Sequence, residues 1–278
     1  LCQVCYNLAL AVDTSEARTL LLQTMLSTVP LCTEEDTAQI VILTVGAVLT
    51  PRVWQESVFG DIYRDLLIQH MATETHVQSI VNCAKQFSAI LDIQHPCVEI
   101  LTILLQAEVS RSLVLSCGGL QVVVDCAKRF PKDTPVQGYF LESVAECAVN
   151  DMLSEAMQIG ALDHLPTVME HSTDEADAEQ CCSLVTTCLG AKPGCMDGAA
   201  ALELVRTAVQ LHPTPDVASA ALDAIVAIGE STVVEPWALM ATEAGVDLLS
   251  RCAAAQPPEG GPDFSEGLVH MLDRNGAL

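Results

Sequence analysis

The chain has 278 residues, half of them hydrophobic, enough to bury a large interior as one elongated body or two domains. Aromatic residues are only 4%, and Ala, Val and Leu dominate, a composition suited to close helix–helix packing and against a sandwich or barrel. The net charge is −24, with 36 acidic side chains against 12 basic ones, which argues against nucleic acid and anionic membrane surfaces as partners and leaves a basic partner or simple solubility to explain the charge.

Thirteen cysteines is an odd number, and they are spread through helical patterns. Secreted disulfide scaffolds are short and loop-rich, so the thiols are expected to be reduced and the location intracellular and cytoplasmic. The longest uncharged apolar run, residues 37–51, is too short to span a bilayer, so no membrane insertion is expected. The chain opens at Leu1 inside an apolar helical pattern and closes where another unit could continue, which suggests a segment of a longer protein.

Residues 1–12 have the pattern of the second half of a helix. Asp13 with Glu16 forms a capping box for the next, which carries Leu20, Leu21, Met25 and Leu26 before Pro30 stops it. Thr33 with Glu34, Glu35 and Asp36 opens a third helix, where first-turn negative charge suits the macrodipole, and Pro51 closes it. Residues 53–71 keep a helical period through Trp54, Val58, Ile62, Leu66 and Leu67, but the segment is long enough to predict an insertion. Residues 1–74 are therefore taken as irregular N-terminal helical repeats.

From Thr75 a period can be counted. Cys83-Ala84-Lys85-Gln86-Phe87 recurs 43 residues later as Cys126-Ala127-Lys128-Arg129-Phe130. Gly118, Gly160, Gly198 and Gly245 are each expected to open a helix, at intervals of 42, 38 and 47. Pro96, Thr134-Pro135, Thr173-Asp174 and Thr214-Pro215 mark a second set of helix starts with capping residues or early prolines. In the stretch 117–150, Leu120, Val123, Val124 and Ala127 line one helix and Pro131 ends it. Thr134 should cap the next, with Gln137 reaching back to the cap, and Tyr139, Phe140, Val144 and Cys147 should form its apolar face.

Shorter helices are predicted over 108–115, 152–159 and 236–241. Two kinds of punctuation sharing one period near forty residues belong to the solenoid class. A short helix, a break at glycine and two longer helices resemble the armadillo repeat, with Gly118-Gly119-Leu120 and Ile159-Gly160-Ala161-Leu162 matching that family's glycine hinge. The resemblance covers residues 75–252, and the two-helix HEAT repeat is its close relative. It implies an all-α, right-handed α-solenoid of roughly six units. Residues 253–278 are expected to hold a loop, 253–262, and a terminal helix, 264–272.

No phosphate-binding loop, dinucleotide fingerprint, HExxH or nucleophile elbow is present in the sequence, so no enzymatic activity and no cofactor are expected. Cys2 and Cys5 have the spacing of half a zinc site, and Cys181, Cys182, Cys188 and Cys195 fall near His164 and His171. Both groups recur at helical spacing on apolar faces and are assigned to core packing, with no metal. The histidines, including His70, His76, His95 and His212, fall singly near helix ends, and Lys128, Arg129 and Lys132 suit a helix C-terminus.

In armadillo proteins the third helix of each unit lines a concave groove, and members that carry nuclear import signals place Trp and, four residues on, Asn there. The matching pairs here are Glu99 and Ile103, Glu142 and Glu146, Leu184 and Cys188, and Asp223 and Ala227. No pair is Trp and Asn, which argues against that import mechanism. Glu99, Glu142, Glu146 and Asp223 would instead form a partly acidic wall for a basic or extended segment of a partner protein. The expected function is a non-enzymatic protein–protein interaction scaffold. The alternative is a structural segment of a large cytoskeletal or ciliary complex, contacted on several faces.

Overall fold

A computed structural model of the chain describes residues 71–231 and 243–255, together with Thr24 and Ile68. Apart from Thr24 and Ile68, the readings made for residues 1–70, for the short helix over 236–241 and for the terminal helix lie outside the described residues. The described residues are all-helical, without strands. No single helix among them is long and apolar enough to cross a membrane. The chain divides into two compact units, Leu1–Ser143 and Val144–Leu278.

The first unit begins with α1, Glu74–Gln86, whose cap is Thr73: its hydroxyl accepts the amide of His76 at 3.3 Å. Val77, Ile80, Val81 and Ala84 form its buried stripe. A turn leads into α2, Leu91–Gln106, which packs back on α1. This helix starts five residues before Pro96, the residue expected to open it. Burial explains the earlier start: Ile93 is fully buried, and Gln94, only 2% exposed, donates its amide to the carbonyls of Ala84 at 2.7 Å and Phe87 at 3.1 Å. The last carbonyls of α1 are thus capped by a side chain of α2.

Helix α3, Glu108–Ser116, and helix α4, Gly119–Arg129, meet at 71° across Gly118. Gly118 has φ +77°, a left-handed conformation that a Cβ would strain, and the expected glycine break is found. Helix α4 buries Leu120, Val122, Val123, Val124, Cys126 and Ala127 against α1, α2 and α3. It is followed by α5, Thr134–Val149. The cap of α5 is Asp133, whose Oδ1 accepts the amide of Val136 at 3.0 Å, not Thr134. Gln137 does not reach back to a cap either. It is 3% exposed and donates to the carbonyls of Ala127 and Phe130 at 3.0 and 2.9 Å. A carboxylate is the stronger acceptor for the orphan amide, which frees Gln137 for two buried carbonyls. Within this unit the hydroxyls of Thr102 and Ser143 share a hydrogen bond of 3.0 Å.

The second unit opens with the end of α5. Asp151 then takes a left-handed φ of +60°, and α6, Leu153–Gln158, stops at Gly160, φ +69°. One 3-10 turn, Leu162–His164, leads into α7, Leu165–His171. Asp174 caps α8, Glu175–Ala191, and Thr214 caps α10, Pro215–Ser231, both at their expected places. Between them α9, Gly198–Leu211, is capped by Asp197, which accepts the amides of Ala199 and Ala200. Only a turn, with Gly194 at φ +78°, separates α8 from α9. Helix α11, Glu243–Ala255, starts two residues before Gly245 and runs three residues into the predicted loop. Helix α8 packs on α7, α9 and α10, and α11 on α9 and α10. The core here is aliphatic and sulfur-rich: Leu165, Val168, Cys181, Val185, Cys188, Val205, Ile225 and Ile228 are fully buried.

Candidate functional site

Each long helix has one stripe of residues left open by its neighbours. On α2 it comprises His95, Glu99, Ile103 and Gln106, and on the first-unit part of α5 it comprises Gly138, Tyr139 and Glu142. The buried stripes interleave with these: Val98, Leu101 and Leu105 on α2, Val136, Phe140 and Leu141 on α5. Tyr139 therefore leaves the apolar face to which its neighbours Phe140, Val144 and Cys147 belong. Its position three residues before Glu142 carries that signal, since residues three apart share a helical face.

Around Tyr139 the first unit gathers three polar side chains, His95, Glu99 and Glu142. The His95 ring meets the Tyr139 ring edge to face, centroids 5.5 Å apart at 69°. Burial pushes the Glu99 carboxyl above its ordinary range, against the pull of His95 and the Tyr139 hydroxyl. Burial, together with the charges of Glu99 and Glu142, pushes the Tyr139 phenol well up. Glu142 is exposed and accepts the Gln106 side-chain amide at 3.3 Å. Of the four expected wall residues, Glu99 and Glu142 thus both lie near one tyrosine.

Glu146 and Asp223 belong to the second unit. Glu146 is half-buried near the end of α5, where Asn150 donates to its Oε1 at 2.7 Å and to its own carbonyl at 2.9 Å. Asp223 is exposed in the middle of α10, with Ala227 beside it on the open stripe. The other predicted pair in this unit is displaced by one residue: Leu184 and Cys188 are buried, and the open stripe of α8 carries Ser183 and Thr187. Cys181, Leu184, Val185 and Cys188 share the face that packs inward, and burial outweighs a register counted from a period that varies by several residues.

Cys181, Cys182 and Cys188 are buried and Cys195 half-buried, all as free thiols. Burial drives the thiols of Cys126, Cys182 and Cys188 up to about 12 and that of Cys252 to about 11, which keeps them protonated and unreactive. His164 is buried, and Nδ1 of His171 lies 3.1 Å from the Thr167 carbonyl. Among the described residues no group of three or more His, Cys, Asp or Glu is arranged to hold a metal ion. A second buried carboxyl, Asp177 in the first turn of α8, is pushed up by burial and by Asp174, with the Ser172 hydroxyl 3.5 Å away. A cleft of about 180 Å³ between α1 and α4 is lined by Lys85, Ser88, Gln94, Asp125, Cys126 and Arg129.

Compared with known protein families, with curated proteins and with solved structures, the chain matches none.

Proposed function

We propose that the chain is a right-handed α-solenoid of armadillo-like repeats, a non-enzymatic interaction scaffold that receives a basic or extended segment of a partner protein on its acidic helix faces. The repeat reading is supported by a structural recurrence at the sequence period. Gln94 and Gln137, 43 residues apart, each cap two carbonyls, Ala84 and Phe87 in one case and Ala127 and Phe130 in the other, that are themselves 43 apart. The glycine break recurs at Gly118 and Gly160, both left-handed.

The observation that carries the binding reading is the pairing of Glu99 and Glu142 around Tyr139 on the open stripes of α2 and α5. A partner lysine or arginine there gains two carboxylates and the face of an aromatic ring. It also relieves the cost of holding Glu99 charged while partly buried, a cost that His95 and the Tyr139 hydroxyl offset only in part. The test is titration of the chain with labelled lysine- and arginine-rich peptides, repeated with Glu99→Lys and with the double variant Glu142→Lys and Glu146→Lys. Binding by the parent chain that weakens at least tenfold in both variants is the expected result. Equal affinity across all three proteins would sink the acidic-face reading.

A further inference from the structure

We draw no further inference here: the strongest candidate, the cleft between α1 and α4 lined by Lys85, Asp125 and Arg129, carries none because its lining mixes two cations with a carboxylate, so that no single charge selects a ligand.

Discussion

Gln94 and Gln137 do at the residue scale what a helix normally asks of glycine or solvent: each satisfies two terminal carbonyls of the preceding helix from within the core. A glutamine can do this because its amide nitrogen carries two hydrogens on a side chain long enough to cross between helices. Replacing Gln137 by leucine removes two buried hydrogen bonds and leaves the Ala127 carbonyl short of a donor, while the Phe130 carbonyl keeps the amide of Asp133, at a cost of about 2 kcal/mol. Gln94→Leu should cost a similar amount, and urea unfolding with an unchanged slope would measure both. Glu99 provides a pH prediction. Its carboxyl is raised by burial, so the folded chain holds that proton more tightly than the unfolded chain does. The stability it contributes is complete below the unfolded value and is lost as pH rises through the folded one. Glu99→Gln should therefore match the parent in acid, exceed it in stability at neutral pH, and show a flatter profile in between. An unchanged profile in the variant would mean that Glu99 is not the group responsible.

At the scale of single elements, the glycines of the helices divide by what surrounds them. A Cβ on Gly119 would come within 2.6 Å of Val114 Cγ1 and 3.0 Å of the Val114 carbonyl oxygen, with Leu101 Cδ2 at 3.1 Å, so the first turn of α4 can approach α3 only without a side chain. Gly119→Ala is expected to destabilise by about 1–3 kcal/mol through overpacking. Gly138 in α5 has nothing within 4 Å of such a Cβ, and Gly138→Ala should stabilise by about 0.5–1 kcal/mol by restricting the unfolded chain. Thermal unfolding of the two variants should move in opposite directions. Helix existence and most breaks were legible in the sequence, since Gly118, Gly160, Asp174 and Thr214 act on backbone a few residues away. The start of α2 was not, because the buried contacts of Ile93 and Gln94 extend the helix across the proline signal.

Charge governs the molecule as a whole. With 36 acidic and 12 basic side chains, folding brings like charges together, and added salt screens that repulsion. The urea midpoint should rise as sodium chloride is increased from about 0.02 to about 0.2 M, while the affinity for a basic peptide falls over the same range. A midpoint that falls with salt would show that attractive pairs outweigh the net repulsion. Composition and periodicity alone determined that the described residues are helical and where several helices break, because these follow from side-chain chemistry and spacings of three to four residues. Only the tertiary structure decided that Asp133 and not Thr134 caps α5, that Tyr139 lies near both Glu99 and Glu142, and that α8 opens Ser183 and Thr187 in place of Leu184 and Cys188. Each of those depends on which face of a helix its neighbours bury, and the burying groups come from other helices.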